Sequence, residues 1–348
     1  MEILVTGGFG NVGRSAVKAC IAAGHNVTIL ESPQAMAKAD AGLRKMLRSP
    51  WRDCRVLFGD LRKPDNVRKA LSSFGKGPDT LIHLAALIPP AADQDEAKTW
   101  EVNVGGTKNL IEACLSLPKP PRFVLASSIA TYGDRLKNFW IRVDDELKPT
   151  EIYSRTKVEC EALVKASGLE YTILRLSYVV WAKWLPFDPM LFAMPPETRL
   201  EVVHTEDAGR AFAAAAELSL AAGRTLNIGG GPLCRTSFRA FLDRIFRYYG
   251  LGDSSFLPME AFAASDFHCG WYADSDQAEE LLHFRRKTLE DYYEEVRWET
   301  RLIAPFATLT APAVRRWLIG KSPYIKGRPK PRAGRVQGLL RLSRQEKR

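Results

Sequence analysis

Tyr153 and Lys157 are the two residues whose types and spacing are best suited to acid–base chemistry in this sequence. Four positions apart on a helix, their side chains would lie on one face, with the lysine ammonium beside the phenol. A neighbouring positive charge favours the phenolate and so lowers the pKa of a tyrosine from its usual value of about 10. The hydroxyl of Ser128, upstream of this pair, could bind the reacting oxygen. These three residues predict proton transfer to or from a substrate hydroxyl or carbonyl group.

A glycine-rich turn near the start of the chain is the second pattern with chemical meaning, and it carries Gly7, Gly10 and Gly13. Between a strand and a helix, the first glycine permits a tight turn and the second lets backbone amides approach a pyrophosphate. The third lets the helix pack closely on the strand. The helix would begin at Asn11 and Val12, with its N-terminus facing the anion. The turn therefore predicts a dinucleotide-binding site.

Glu31 ends the second predicted strand, about 20 residues beyond the turn. An acidic side chain there can accept hydrogen bonds from the adenosine ribose hydroxyls and repels a 2′-phosphate, which favours NAD over NADP. Arg14, directly after the last glycine, favours NADP instead, because an arginine could tolerate that phosphate. NAD is the predicted cofactor, and NADP stays open.

These residues lie at the ends of alternating short β-branched runs and longer helical patterns, which are typical of a parallel sheet covered by helices on both faces. The predicted strands are Ile3 to Thr6, Asn26 to Leu30, Arg55 to Phe58, Thr80 to Leu84, Arg122 to Ala126 and Tyr171 to Leu176. The predicted helices are Val12 to Ala23, Pro64 to Phe74, Thr99 to Leu117 and Glu151 to Ala166. We therefore predict an α/β fold with a doubly wound parallel Rossmann sheet.

The sequence beyond residue 177 is organised differently. Aromatic residues, prolines and an Ala-rich helical pattern from Glu206 to Ala222 predict a smaller α+β region on the carboxyl-terminal side. We assign residues 1–177 to an NAD(P)-binding domain and residues 178–300 to a substrate-binding region, in which 200–230 return to the core fold. Residues 301–348 are assigned to a tail that is first apolar and then basic.

Further motifs follow the glycine-rich turn in order. They are Gly59-Asp60-Leu61, His83-Leu84-Ala85-Ala86, Val102-Asn103-Val104-Gly105-Gly106-Thr107, Ser127-Ser128 and Tyr153-Ser154-Arg155-Thr156-Lys157. In this order and spacing, the motifs resemble the extended short-chain dehydrogenase/reductase superfamily. That group contains NAD-dependent epimerases, dehydratases and hydroxysteroid-dehydrogenase-like enzymes. The resemblance covers about residues 1–230.

The resemblance implies a role for each matching residue. Those expected in catalysis are Tyr153 as proton donor and acceptor, Lys157, which also holds the nicotinamide ribose, Ser128, which positions the substrate oxygen, and Asn103, which supports the geometry. Those expected along the cofactor, besides the glycine-rich turn and Glu31, are Asp60, Leu61, Ala85 and Ala86. A homodimer is likewise expected from the resemblance.

One segment departs from the family's pattern. Many nucleotide-sugar members carry an asparagine after the sixth strand, whereas this chain has Tyr178 there and Trp181 shortly behind it. The usual contacts to a sugar nucleotide are therefore not expected. The sequence from Trp181 to Val203 is rich in Trp, Phe, Met and Pro, which suits either a more apolar substrate or core packing. We name Ser128, Tyr178 and Trp181 as candidate substrate contacts.

The predicted function is NAD(P)-dependent hydride transfer between a nicotinamide and a secondary alcohol or ketone. Two alternatives stay open: a (nucleotide-)sugar epimerase that oxidises its substrate transiently, and a dinucleotide-sensing regulatory protein without turnover. Metal ligation is not predicted, because the six cysteines form no Cys-x-x-Cys pair and the five histidines show no ligand spacing.

Composition and charge limit the class of protein. The chain has 348 residues, 46% of them hydrophobic and 26% charged, which excludes disordered, collagen-like and disulfide-scaffold classes. Scattered cysteines, and the lack of a secretory or membrane-spanning segment, predict a cytoplasmic protein.

The net charge of +10 is concentrated in the tail. Ten basic residues and one acidic residue lie between Lys321 and Arg348, so this stretch carries +9 and the rest of the chain only +1. Such a tail could lie on an anionic membrane surface or wrap a partner subunit. Nucleic-acid binding is not predicted, because no aromatic-interleaved basic motif accompanies the charge.

Overall fold

A computed structural model describes residues 1–37, 41–48, 54–182, 189–265 and 267–325 of the chain. Its strands are β1 (Glu2–Thr6), β2 (Asn26–Glu31), β3 (Arg55–Phe58), β4 (Thr80–His83), β5 (Arg122–Ser128), β6 (Trp140–Ile141), β7 (Tyr171–Leu176), β8 (Tyr178–Val180), β9 (Arg199–His204), β10 (Arg224–Ile228), β11 (Arg235–Ser237) and β12 (Trp271–Tyr272). Its helices are α1 (Asn11–Ala22), α2 (Pro33–Ala37), α3 (Ala41–Met46), α4 (Pro64–Ser72), α5 (Glu96–Trp100), α6 (Gly106–Leu115), α7 (Ile152–Ala166), α8 (Thr205–Glu217), α9 (Phe238–Tyr248), α10 (Ser275–Leu282), α11 (Leu289–Thr300) and α12 (Ala304–Lys321).

Seven strands form a parallel sheet in the order β10-β7-β5-β4-β1-β2-β3. The chain winds outward from β1 in one direction through β2 and β3, and in the other through β4, β5, β7 and β10. The winding direction therefore reverses between β1 and β4, and ligands of doubly wound folds bind in the crevice that opens there, at the carboxyl ends of the strands. This order confirms the predicted Rossmann sheet.

Helices cover both faces of the sheet, as the near-continuous apolar character of its strands requires. Helices α1, α8 and α10 bury one face, and α4, α6 and α7 bury the other. The crossing of α1 and α8 is so close that a Cβ added at Gly209 would lie 2.4 Å from the backbone carbonyl carbon of Ser15. Helix α8 and strand β10 thus return to the main sheet after the first six strands.

A second apolar cluster lies in the carboxyl-terminal region. Strands β8, β9 and β11 form a small sheet, and α9, α11 and α12 pack with it around aromatic side chains. The rings of Phe241 and Tyr292 are stacked in this cluster, with centroids 5.8 Å apart and an interplanar angle of 4°. Residues 183–188, within the Trp-, Phe- and Met-rich stretch of the sequence, lie outside the described residues.

Two elements differ from the sequence-based expectation. The helix predicted from Thr99 to Leu117 is divided by a π-helical turn over Glu101–Gly105. The stretch interpreted as the apolar part of a tail forms α12, although Pro312 lies inside it. A proline removes one backbone hydrogen bond, yet this helix continues because its apolar side packs on the second cluster. In the described part of the chain, no helix combines the length and the apolarity needed to cross a membrane.

Candidate active site

Helix α7 places Tyr153 and Lys157 at the carboxyl end of β5. The backbone amide of Glu151 donates to Ser154 Oγ at 3.1 Å, which fixes the start of this helix. Lys157 is only 3% exposed, and its Nζ donates a 2.8 Å hydrogen bond to the carbonyl oxygen of Ala126 on β5. The same Nζ lies 5.7 Å from the centre of the Tyr153 ring. The tyrosine and the lysine therefore lie close together on one face of α7, as their spacing predicts.

Ser128 ends β5 and lies within hydrogen-bonding reach of the Tyr153 side chain. Burial raises the pKa of Tyr153 well above its usual value, and the hydrogen bond with Ser128 only partly opposes this. Burial also lowers the pKa of Lys157. Desolvation of the phenolate therefore opposes the lowering of the tyrosine pKa that we expect from Lys157 together with a bound nicotinamide, and that expectation stays a prediction.

Asn103 lies in the π-helical turn and is almost fully buried. Its Oδ1 accepts from the Leu87 amide at 2.7 Å, and its Nδ2 donates to the Leu87 carbonyl and to Thr156 Oγ1, both at 3.0 Å. Thr156 in turn donates to the carbonyl oxygen of Tyr153. These bonds join the segment after β4 to α7 through Asn103, and the supporting role expected for this residue stays a prediction.

The glycine-rich turn fits a pyrophosphate in its backbone geometry. Gly7 has φ of +73°, and a Cβ there would lie 2.6 Å from the amide nitrogen of Ala85. A Cβ at Gly13 would lie 2.1 Å from the carbonyl oxygen of Gly7. Helix α1 begins at Asn11 after Gly10, which has no side chain to cap the first amides of the helix. Those amides can therefore face an anion.

Glu31 is attached to this turn from the end of β2. One carboxylate oxygen accepts from the amide of Phe9 at 3.1 Å, and the other accepts from the amide of Ser32 at 3.0 Å. Burial raises the pKa of Glu31, and these two backbone bonds partly offset that rise. Arg14 donates from Nε to the carbonyl oxygen of Phe9 at 2.9 Å. The acidic and the basic residue thus both hold the backbone of the turn.

The other predicted cofactor residues follow the neighbouring strands. Asp60, after β3, forms a 2.7 Å ion pair with Arg62, whose hydrogen bonds lower the pKa of that carboxyl. No sequence motif predicts this role of Arg62. The side chain of Leu61 is buried close to Gly106. Ala85 and Ala86 follow β4 after Leu84, and Ala85 lies beside Gly7. The structure brings the ends of β1 to β4 together as the motif order predicts.

His83 links three elements beneath this site. Its Nδ1 lies 2.7 Å from Thr6 Oγ1, and its Nε2 lies 3.0 Å from Thr107 Oγ1. Burial, and secondarily the charge of Lys157, lowers the pKa of His83 to about 3. The imidazole is therefore neutral and joins β1, β4 and α6 by hydrogen bonds.

A buried polar network lies behind Ser128, and no motif in the sequence predicts it. Glu161, on the same face of α7 as Lys157, accepts from Ser127 Oγ at 2.6 Å and forms an ion pair with Arg175 of β7 at 2.7 Å. Arg175 also donates to Tyr132 Oη at 2.7 Å. The network continues through Asn227 of β10 to Asp274, just before α10. A charged residue between two leucines of a buried strand was the available signal, because such a charge needs a partner.

The two remaining substrate candidates lie on β8 and just after it. The Tyr178 ring packs edge-on against Phe241 of α9, with centroids 6.2 Å apart, and burial raises its pKa to about 12. Trp181 is exposed, next to the part of the chain that is not described. Substrate contact by either residue stays a prediction. Among the described residues, no group of three or more His, Cys, Asp or Glu side chains is arranged to hold a metal ion.

Comparison with known proteins agrees with this fold and site. Residues 3–183 match the model of the NAD dependent epimerase/dehydratase family, and the chain belongs to that family. A UDP-glucose 4-epimerase of Lacticaseibacillus casei is 31% identical over 189 residues, 52% of this chain and 53% of the relative. A D-erythronate dehydrogenase of Cupriavidus necator is 30% identical over 169 residues, 47% of this chain and 49% of the relative. The chain spans about half the length of the curated relatives it matches.

Solved structures resemble the chain over more of its length. A UDP-glucose-4-epimerase from Stenotrophomonas maltophila, solved with bound NAD and formylated UDP-arabinopyranose, covers 88% of this chain and 100% of its own, with a TM-score of 0.71 and 20% identity. A short-chain dehydrogenase/reductase superfamily protein from Agrobacterium tumefaciens with bound NAD covers 89% and 99%, with a TM-score of 0.67 and 24% identity. At these identities, the similarity shows the fold. The family membership confirms the predicted NAD-dependent enzyme class.

Proposed function

We propose that this chain is an oxidoreductase that moves a hydride between NAD and a substrate with a secondary alcohol or ketone group. The single observation that carries the proposal is the arrangement of Tyr153, Ser128 and Lys157 at the end of β5. A protein that only sensed the dinucleotide would have no chemical need for this phenol, hydroxyl and buried ammonium together. The non-catalytic alternative is therefore the weaker one.

The chain's own residues carry the proton. In alcohol oxidation, Tyr153 as phenolate accepts the hydroxyl proton of the substrate, and in ketone reduction the phenol returns it. Ser128 donates a hydrogen bond to the same oxygen and fixes its position. Lys157, anchored to Ala126, supplies the positive charge that offsets the cost of a buried phenolate. NAD, when bound, supplies the hydride acceptor or donor.

The cofactor would lie across the carboxyl ends of β1 to β4. The amides that begin α1 at Asn11, Val12 and Gly13 would hold the pyrophosphate. Glu31 would accept hydrogen bonds from the adenosine ribose hydroxyls, because each of its carboxylate oxygens can accept a further hydrogen bond besides the one from a backbone amide. Asp60 and Leu61 would flank the adenine, and Lys157 would hold the nicotinamide ribose. NADP binding is the less favoured possibility, since its added phosphate would meet Glu31.

An epimerase of (nucleotide-)sugars is the second candidate, supported by the relatives that carry that name. It would use the same three residues but return the hydride to the other face of the ketone. The family's asparagine is replaced by Tyr178, whose ring packs on Phe241. This substitution favours the oxidoreductase, because a packed ring provides no amide to bind a sugar nucleotide.

The test compares wild-type protein with Tyr153→Phe on NAD and a panel of secondary alcohols, ketones and nucleotide sugars. Loss of the acid–base group should lower kcat by about 10²–10⁴-fold while NAD affinity is kept. Tyr171→Phe, at the opposite end of the sheet, is the matched control. Net accumulation of reduced cofactor supports the oxidoreductase, and interconversion of sugars without it supports the epimerase. Equal turnover by wild type and Tyr153→Phe contradicts the mechanism.

Partners of the whole protein are part of the same proposal. The substrate is a small molecule with an alcohol or carbonyl group. A homodimer is expected from the family resemblance, and analytical ultracentrifugation of the full chain tests it. Residues 326–348, which hold most of the basic tail, lie outside the described residues, so a role on a membrane surface or a partner subunit rests on their charge.

A further inference from the structure

An exposed apolar stripe runs along the last two helices. Its members are large side chains from 51% to 82% exposed, namely Trp298, Leu302, Phe306, Leu309 and Trp317. The other side of α12 contacts the second apolar cluster through Ala307, Ala311, Val314 and Leu318. On α12, Phe306, Leu309 and Trp317 lie about 90° to 170° around the helix axis from that core-facing side, whereas Trp298 belongs to α11 and Leu302 to the turn between the two helices. The stripe is thus directed away from the apolar core, and exposed apolar surface of this kind marks an interaction site.

Basic groups border the stripe at both ends. The Arg301 guanidinium lies 3.5 Å from the ring centre of Trp298, and Lys321 Nζ lies 4.8 Å from that of Trp317. Arg316 is exposed on α12 as well. The sequence contains no aspartate or glutamate between Glu299 and Glu346. Residues 326–348, which follow directly, contain nine lysines and arginines and one glutamate. Beyond the α11 end of the stripe, where Glu294 and Glu299 lie in the same cleft as Trp298, the partner of this surface must therefore offer both apolar contact and negative charge.

We propose that the stripe docks on the surface of an anionic lipid bilayer. Tryptophan, phenylalanine and leucine on one face of a helix, with Lys and Arg beside them, form the pattern of helices that lie in a membrane interface. Long basic side chains keep their charged ends at the headgroups while their stems cover apolar surface. The basic residues that follow α12 add attraction to anionic headgroups, which weakens as salt increases.

A second copy of this chain fits the stripe less well. In a symmetric dimer through α12, each stripe would face the same stripe of its partner. Arg301, Arg316 and Lys321 of both copies would then lie in one interface, in which α12 has no acidic residue and only the α11 end offers carboxylates, at Glu294 and Glu299. An anionic lipid surface has the complementary charge instead. The proposal goes beyond the chemistry proposed above, since it assigns a partner to a surface that contains none of the catalytic residues.

The test is flotation of the full chain with lipid vesicles. One set contains phosphatidylcholine alone, and the other contains about one third phosphatidylglycerol. We expect binding to the anionic vesicles, little binding to the neutral ones, and release in about 1 M salt, where electrostatic attraction is screened. The double variant Phe306→Ser/Leu309→Ser should weaken the partition to anionic vesicles at least tenfold. Leu220→Ser/Leu233→Ser, which changes two leucines exposed elsewhere, should not weaken it.

Far-UV circular dichroism and NAD affinity establish that both double variants remain folded. Three results overturn the proposal: no binding of wild type to anionic vesicles, equal binding to both kinds of vesicle, or equal binding of wild type and Phe306→Ser/Leu309→Ser. A fourth is a dimer in lipid-free buffer that only the Phe306→Ser/Leu309→Ser variant dissociates, because a second copy would then cover the stripe.

Discussion

The ammonium nitrogen of Lys157 lies 5.7 Å from the centre of the Tyr153 ring while it donates to the carbonyl oxygen of Ala126. The lysine therefore joins the helix that carries the proposed acid–base group to the end of the strand that carries Ser128. Its charge is close to the phenol but is held by a backbone oxygen. The proposed catalytic geometry thus depends on a packed contact between α7 and β5.

Replacement of Lys157 by methionine should separate its electrostatic role from packing. The variant loses the positive charge beside Tyr153, so the phenolate becomes harder to form and the tyrosine pKa increases. We expect kcat/KM for alcohol oxidation to decrease and the rise of the pH–rate profile to move to higher pH. Lys108→Met, an exposed site on α6, is the control. An unchanged pH profile in Lys157→Met would show that the charge has no part in proton transfer.

Glu31→Ala should relax the choice between NAD and NADP. Removal of the carboxylate takes away the proposed ribose acceptor and the repulsion of a 2′-phosphate, and it also frees the Phe9 amide. The affinity ratio of NAD to NADP should fall about tenfold, which equals about 1.4 kcal/mol. Calorimetric titration of both cofactors measures it, with Glu112→Ala as an exposed control. Tighter binding of NADP by the wild type is the result that rules out this role.

His83 should make the fold sensitive to acid. Its pKa is about 3 in the folded protein and about 6.5 in an unfolded chain, so the unfolded state binds the extra proton between these values. The contribution of His83 to the free energy of unfolding is then fully present above about pH 6.5 and is lost as the pH falls towards 3. Between pH 7 and pH 5, this loss is about 2 kcal/mol. Urea unfolding at both pH values checks this. His83→Gln should remove that part of the pH dependence, and identical slopes in the two proteins contradict it.

The alternating part of the fold could be predicted because local patterns decide it. The runs around Ile3, Asn26, Thr80 and Tyr171 are buried strands whose β-branched and apolar residues leave few alternatives, and turns of glycine and polar residues bound them. The motif order then places Gly7, Glu31 and Ala85 at one edge. Parallel strands bring their carboxyl ends together, so proximity of these residues follows from topology.

The remainder depends on contacts that a single sequence does not reveal. A π-helical turn at Asn103 has no local signature, since it depends on bonds to Leu87 and Thr156 in other elements. Helix α12 was missed because Pro312 argues against a helix, and only packing on the second cluster stabilises it. Burial of the Tyr153 phenol, which raises its pKa, is likewise set by tertiary packing, because the sequence shows the neighbouring charge of Lys157 but not the burial.

Removing one partner of the buried Glu161–Arg175 ion pair should destabilise the fold more than replacing both partners with apolar residues. Burial raises the pKa of Glu161, but the hydrogen bonds and charge of Arg175 hold it below its usual value. Glu161→Leu leaves the guanidinium without its counter-charge, which should lower the free energy of unfolding by about 3–5 kcal/mol. The free energy of unfolding of Glu161→Leu/Arg175→Met should decrease less than that of Glu161→Leu. Chemical denaturation measures both, and Glu159→Gln, exposed on the same helix, serves as the control.

If the double variant is less stable than Glu161→Leu, the hydrogen bonds of Arg175 to Tyr132 and Val143 contribute more than the ion pair does. That outcome would reverse the expected order.

Two helical glycines offer a matched comparison of packing and propensity. A Cβ at Gly209 of α8 would lie 2.4 Å from the backbone of Ser15, whereas a Cβ at Gly320 of α12 meets no atom within 4 Å. Alanine stabilises a helix interior by up to about 1 kcal/mol over glycine, so Gly320→Ala should raise the melting temperature slightly. Gly209→Ala must push α1 from α8 and should lower the free energy of unfolding by about 1–3 kcal/mol.

Because α1 also begins at the glycine-rich turn, Gly209→Ala should weaken NAD binding as well, measured by calorimetry on the folded variant. Equal melting temperatures for the two variants would show that the two helices can separate without cost.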